Sequence, residues 1–128
     1  MGDNDEPTAW RAWIPDDAEE AFRLYVDEIG KLDRLSDAEQ AQLLKSAAAG
    51  ADDAKQRLIE AHLQLVVLIA KDYAGRGPSP LDLVQAGNMG LIRAVERLDA
   101  TTLGVSFKDF AIPAIRQEIE DTAGRPPT

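Results

Sequence analysis

Apolar residues recur at steps of three and four along most of the chain, and this spacing constrains the fold more than any other feature. Residues three or four apart lie on one face of an α-helix, so the pattern predicts amphipathic helices that bury their apolar faces against one another. No segment of the sequence alternates apolar and polar residues with the period of two that a half-buried strand requires. The sequence therefore predicts an all-α protein, a compact bundle of about five helices.

Capping residues, glycines and prolines set the predicted bounds of these helices. Ser36 and Glu39 form a capping box before one apolar stripe, and Ser79 offers a cap that is followed by Pro80 in the first helical turn of another. Glycines follow the last apolar residue of most stripes, as expected at helix C-termini. The five predicted helices cover roughly residues 16–29, 37–49, 52–73, 80–98 and 107–123.

Two glycines, Gly87 and Gly90, lie inside the fourth predicted helix. Each glycine costs a helix about 1 kcal/mol relative to alanine. Two explanations are open: another backbone approaches closely at this point, or the chain kinks between two short helices. In the fifth predicted helix, Pro113 removes one backbone hydrogen bond and predicts a bend.

The chain divides into three predicted segments. Residues 1–15 contain two prolines, two tryptophans and scattered charges without a helical period, which predicts a flexible acidic N-terminal arm from which Trp10 and Trp13 could dock. Residues 16–123 are predicted to form the helical domain. Residues 124–128, with two prolines, are predicted to be a disordered tail.

Charge and hydrophobicity restrict the classes of partner. The formal net charge is -9, and residues 1–30 hold nine acidic residues against two basic ones. Nucleic-acid affinity rests largely on Lys and Arg, so tight DNA binding by the chain alone is disfavoured. The longest apolar run, residues 65–70, is far shorter than the roughly 20 residues of a membrane span. Because the acidic start also lacks a secretory pattern, we expect a cytoplasmic protein.

The residues that usually carry catalysis or metal binding are scarce. There is no cysteine, which excludes disulfides and thiolate metal sites. The single histidine, His62, lies in an apolar run and is predicted to be a partly buried helix residue, since it has no second histidine or cysteine with which to share a metal. We therefore expect no enzyme activity, no catalytic residue, no metal and no cofactor.

Three ordered stretches of the sequence resemble conserved segments of one family. The stretches are residues 21–30 with 35–40, residues 55–77 and residues 81–99. In that order they resemble regions 1.2, 2.1 and 2.2 of the sigma-70 transcription initiation factors, and the likeness covers about residues 18–121. The resemblance implies the fold of sigma-70 domain 2, a helical bundle.

The resemblance also implies a partner. Region 2.2 of sigma-70 factors docks on the clamp helices of the largest catalytic subunit of RNA polymerase through polar residues on one helix face. The matching positions here are Asp82, Gln85, Asn88 and Ile92. The alternative is an ordinary solvated face. Ala86 stands where the family usually has glutamate, which removes a charge that would meet basic residues of the clamp and predicts a lower affinity.

The DNA-reading surface of the family is matched only in part. Sigma-70 factors capture flipped bases of the minus-ten element with aromatic, amide and basic side chains, and stacking contributes about 1–3 kcal/mol per base. The possible DNA-binding residues here are Phe107, Phe110, Arg116 and Gln117. Positions that are aromatic or basic in the family hold Thr102, Val105, Ser106 and Asp109, while His62 and Gln64 replace an asparagine and an arginine that face the melted strand. Glu120 and Asp121 add negative charge, so we expect weak or no DNA binding by the chain alone.

Three hypotheses follow from the resemblance. The first is a sigma-like regulator that binds core RNA polymerase and modulates initiation without recognising a full promoter alone. The second is a genuine, truncated sigma factor that melts minus-ten DNA. The third is a mimic that occupies an anti-sigma factor or another transcription regulator. The sequence ends at Thr128, before the family's regions 3 and 4, and if it were the entire protein it could not place polymerase at a two-element promoter by itself.

Overall fold

Six α-helices make up most of the computed structural model, which describes residues 9–14 and 18–124. They are α1 (Glu20–Gly30), α2 (Asp37–Ala48), α3 (Asp52–Ala61), α4 (Leu63–Ala70), α5 (Pro80–Glu96) and α6 (Phe107–Ala123). Short 3-10 turns cover Ala9–Arg11, Lys71–Tyr73 and Ala100–Thr102. The described residues contain no strand, which confirms the predicted all-α class. None of their helices is both long enough and apolar enough to cross a bilayer.

The predicted third helix is divided at His62, so residues 18–124 hold six α-helices where the sequence predicted about five. His62 leaves helical geometry, with φ -116° and ψ 10°. Its Nδ1 donates to the carbonyl of Leu58 across 2.7 Å, and its backbone N–H turns instead to the carbonyl of Ile59 at 3.0 Å. In a continuous helix the His62 backbone N–H would bond the Leu58 carbonyl. The imidazole takes that carbonyl instead, and the helix ends there.

The other bounds lie close to the predictions where local caps fix them. Both predicted caps are present: Ser36 caps α2 in a capping box with Glu39, and Ser79 caps α5. α1 begins at Glu20 rather than residue 16; residues 16 and 17 fall outside the described part of the chain. α6 continues through the exposed Pro113, and the predicted bend stays a prediction.

α5 is the central helix, packed against α6, α4 and α3. It runs without a break through Gly87 and Gly90. A Cβ at Gly90 would lie 2.7 Å from the carbonyl carbon of Ala114 in α6, and one at Gly87 would lie 2.6 Å from Cγ1 of Val66. Close approach of a neighbour therefore explains both glycines. The neighbour is the α6 backbone at Gly90 and the Val66 side chain at Gly87. The kink between short helices is wrong.

One core runs through the bundle, and residues 9–14 pack onto it. Trp10 is only 8% exposed, and the indole Nε1 of Trp13 donates to the carbonyl of Val67 in α4 at 3.1 Å. Arg11 pairs with Asp27 of α1 at 3.1 Å. This stretch differs from the flexible arm predicted for residues 1–15, because both indoles find apolar surface. The remainder of the arm, residues 1–8 and 15, and the predicted tail beyond Gly124 lie outside the described residues.

Candidate functional site

The first turn of α5 is fixed by a reciprocal capping box. The Oγ atom of Ser79 accepts from the backbone N–H of Asp82 at 3.1 Å, and the Asp82 carboxylate accepts from the backbone N–H of Ser79 at 3.4 Å. A carboxylate in the first turn is also favoured by the helix dipole. Asp82 is exposed, so the predicted partner-binding residue is presented to solvent from a rigid helix start.

An exposed face continues from Asp82 along α5. Gln85 is exposed one turn later, and Met89 follows with 50% of its surface exposed, in line with Asp82 and Gln85 at helical spacing. Arg93 extends the line and pairs with Glu118 of α6. We call Asp82, Gln85, Met89 and Arg93 the α5 face. It combines one apolar side chain with polar neighbours, a composition typical of protein-binding surfaces.

Asn88 and Ile92 were predicted to share this surface, and the structure places them at its edge. Both are half-buried. The Nδ2 atom of Asn88 donates to the hydroxyl of Tyr25 in α1 at 3.0 Å. Burial raises the pKa of the Tyr25 phenol more than the Asn88 bond lowers it, so the hydroxyl keeps its proton at neutral pH. The four predicted residues therefore divide into an exposed pair, Asp82 and Gln85, and an inner pair.

Sequence reasoning missed Met89 and Tyr25. An apolar residue in a helix is normally assigned to the core, and the available signal was position alone, because Met89 follows Asp82 by seven residues and Gln85 by four. Tyr25 falls at helical spacing between Phe22 and Ile29, as a core residue of α1 would, and no spacing rule links it with Asn88, 63 residues later. Ala86, where the family usually has glutamate, is half-buried beside the α5 face.

The two candidate DNA-binding aromatics lie mostly inside the fold. Phe107 is 1% exposed and packs edge-on against the His62 ring, with centroids 4.7 Å apart. Phe110 is half-buried against the core. A ring can stack on a base only if one face is accessible. The structure therefore places Phe107 in the core and leaves Phe110 with partial exposure.

The two polar candidates on α6 are bound within the chain. Arg116 contacts both the Asp72 carboxylate and the Tyr73 hydroxyl at 3.4 Å. The same hydroxyl donates to Glu120 at 2.9 Å. Gln117 is exposed, and its side chain donates to Asp121 at 2.8 Å. Acidic partners occupy both side chains, so the structure does not bring the four candidates together as a cationic surface.

A cleft of about 460 Å³ opens between the N-terminal turn, the α1–α2 connection, the α3–α4 junction and the start of α6. His62 and Gln64 both line this cleft. They match the two positions that face the melted strand in the family that the sequence resembles. Gln64 is engaged, donating to the carbonyl of Ile29 at 3.0 Å. Burial lowers the pKa of His62, so its ring is neutral near pH 7 and offers no charge to a phosphate.

Comparison with known proteins agrees with this architecture. The family model described as Sigma-70 region 2 matches residues 58–125, more than half of the chain, and this span contains α4, α5 and α6. The RNA polymerase sigma factor SigA proteins of a Bacillus species, Listeria monocytogenes and Listeria innocua are each 50% identical over 97 residues, 76% of this chain. The chain spans about a quarter of the length of these relatives, 26% in each case. On the match to the region 2 model, this chain belongs to the sigma-70 family.

Proposed function

We propose that this chain binds core RNA polymerase through the α5 face and modulates transcription initiation, without reading promoter DNA by itself. The observation that carries the proposal is the line of Asp82, Gln85 and Met89 on one exposed side of α5. The partner surface is the pair of clamp helices that region 2.2 contacts in the family. The proposed role is binding without catalysis, in the cytoplasm where polymerase works.

The rigidity of α5 supports a docking role. The side opposite the α5 face is buried along the length of the helix, through Leu83, Val84, Leu91, Ala94 and Val95. At Gly90 the helix also touches the α6 backbone. A helix held on several sides presents its exposed residues in fixed positions, so little conformational entropy is lost when a partner binds.

The charges on the candidate DNA surface support the second half of the proposal. A phosphate-binding surface needs free Lys or Arg side chains, whose charge replaces condensed counterions. Arg116 is already paired with Asp72. It also contacts the Tyr73 hydroxyl, which donates to the Glu120 carboxylate. The net charge of -9 adds a general repulsion of DNA.

The direct test is binding to core polymerase in the absence of DNA. We expect the wild-type chain to bind, and Gln85→Ala and Asn88→Asp to weaken binding by about 5- to 30-fold, the loss of 1–2 kcal/mol that an interface contact typically gives. Gln42→Ala, at an exposed position of α2, is the matched control and should bind like the wild type. Failure of the wild type to bind would refute the proposal and would favour an anti-sigma factor as the partner.

A second candidate function rests on one observation. Phe110 and Gln117 lie seven residues apart on the same side of α6, and both are at least partly exposed. A promoter-melting factor would use such a pair to hold a flipped base. Binding of a single-stranded minus-ten oligonucleotide, lost on Phe110→Ala and on Gln117→Ala, would support promoter melting over the regulator.

A further inference from the structure

The side chain of Asn88 is turned into the fold rather than outward. Its Nδ2 donates to the Tyr25 hydroxyl at 3.0 Å. Its Oδ1 is buried and has no hydrogen-bond partner within residues 9–14 and 18–124. Asn88 is the only residue in that part of the chain with a buried, unpartnered side-chain polar atom. It lies one residue before the exposed Met89, at the edge of the α5 face.

This arrangement is unfavourable for Asn88 itself. An asparagine side chain offers one acceptor oxygen and two N–H donors. A buried acceptor without a partner keeps the full desolvation penalty, which is larger than the net gain from an average hydrogen bond. Turning the amide outward would hydrate the oxygen but would leave the Tyr25 hydroxyl without its bond. The Tyr25 bond therefore favours the inward orientation in the free protein, and the unsatisfied oxygen limits how strongly that orientation is favoured.

The Tyr25 side of the contact is fixed. Tyr25 lies on α1, where Phe22, Val26 and Ile29 are buried in the core and hold the helix in place. Its ring is half-buried, and its hydroxyl stays protonated because burial raises the pKa of the phenol. Any change of orientation must therefore take place at Asn88, through a change of side-chain rotamer.

We propose that Tyr25 is a positioning residue that holds Asn88 inward in the free protein, and that docking of polymerase on the α5 face turns Asn88 outward. The inference rests on the proposed function. Once outward, the amide can both donate to and accept from a partner helix, and its oxygen is no longer unsatisfied. The partner contributes the differential contact that shifts Asn88 from one orientation to the other.

Tyr25→Phe tests the proposal because it removes only the hydroxyl and keeps the ring. We expect this variant to bind core polymerase about 3- to 10-fold more tightly than the wild type, since Asn88 is no longer held inward. In an Asn88→Ala background the same substitution should leave affinity unchanged, a coupling that a general structural effect would not produce. Tyr73→Phe, which removes a hydroxyl that is bonded to Glu120 and not to Asn88, should bind like the wild type.

An unchanged or lower affinity of Tyr25→Phe, with normal binding by the wild type, would overturn the proposal and leave the proposed function standing. If the wild type itself does not bind polymerase, the proposed function fails. The inward orientation of Asn88 is then tested separately, by measuring the side-chain amide resonances of Asn88 in the free, ¹⁵N-labelled chain. We expect one amide proton to exchange slowly with water in the wild type, and to exchange faster, with a shifted resonance, in Tyr25→Phe. Rapid exchange in both proteins would overturn the inward orientation.

Discussion

Gly90 of α5 packs directly against the backbone of Ala114 in α6. A Cβ atom at position 90 would lie 2.7 Å from the Ala114 carbonyl carbon and 2.7 Å from the Cα of Ile115, distances that real Cβ atoms essentially never show. The neighbouring atoms are backbone, so no side-chain rotation can make room. The glycine therefore fixes how closely the helix with the α5 face approaches its main packing partner.

We expect Gly90→Ala to lower the free energy of unfolding by about 1–3 kcal/mol through overpacking. The gain of about 1 kcal/mol in helix propensity does not offset this loss. Gly87→Ala should lower the free energy of unfolding by less, because the nearest obstructing atom is Cγ1 of the Val66 side chain, which can move more easily than backbone. Urea denaturation followed by far-ultraviolet circular dichroism measures both. Gly104→Ala, with open space around position 104, is the control, and equal stability of the Gly90 and Gly104 variants would contradict the packing described.

Phe107 is expected to stabilise the fold rather than bind DNA. Phe107→Ala should lower the free energy of unfolding by about 3–5 kcal/mol, as for other fully buried aromatics. Phe110→Ala should lower the free energy of unfolding by clearly less, because Phe110 is only half-buried. Denaturant titration without DNA makes the comparison. A Phe107→Ala variant as stable as the wild type would show that the ring does not fill the core.

The stability of the fold should depend on pH through His62. Burial lowers the pKa of its imidazole, with the Leu58 hydrogen bond opposing this change and the charge of Lys108 adding to it. The unfolded chain, with a histidine pKa near 6.5, then binds a proton at a higher pH than the folded chain does. The stabilisation is therefore present above about pH 6.5 and is lost as the pH falls through that value toward the lower folded pKa.

His62→Gln isolates this effect. Between about pH 7.5 and 5.5, the wild type should lose unfolding free energy that the variant retains, measured by urea titration at each pH. Most carboxylates stay ionised over this range, so their contribution is nearly the same in both proteins. Parallel pH profiles for the two proteins would show that His62 is not protected from protonation.

The two tryptophans give a direct measure of how the N-terminal segment packs. Trp10 and Trp13 are the only tryptophans of the chain, so its tryptophan fluorescence reports on residues 9–14 alone. Because Trp10 is buried and Trp13 donates to the Val67 carbonyl, the fluorescence and circular dichroism transitions should coincide in urea. A fluorescence transition at clearly lower urea would mean that the segment detaches from an intact bundle.

Local rules predicted most of the fold. The caps at Ser36 and Ser79 depend on residues three positions apart, and the starts of α2 and α5 agree with the predictions. The break at His62 could not be predicted in this way. It depends on the imidazole bonding the Leu58 carbonyl while it packs on Phe107, a residue 45 positions later that only the tertiary fold brings near.

The candidate site was predicted to a lesser extent. Asp82 and Gln85 follow from helical spacing and the family resemblance, and both are exposed. The inward turn of Asn88 depends on Tyr25 of another helix. Met89 is apolar in sequence and exposed in the structure, a conflict that only packing reveals. Surface residues whose partners come from distant segments were therefore the least predictable part of the site.

A photo-crosslinking residue at Met89 shows which polymerase subunit the α5 face contacts. Met89 lies in the middle of the α5 face, and the same residue at Gln42 of α2 provides the control. When each variant is mixed with core RNA polymerase and irradiated, we expect the Met89 variant to crosslink to the largest catalytic subunit and the Gln42 variant not to do so. No crosslink from position 89, or equal crosslinking from both positions, would contradict docking through the α5 face.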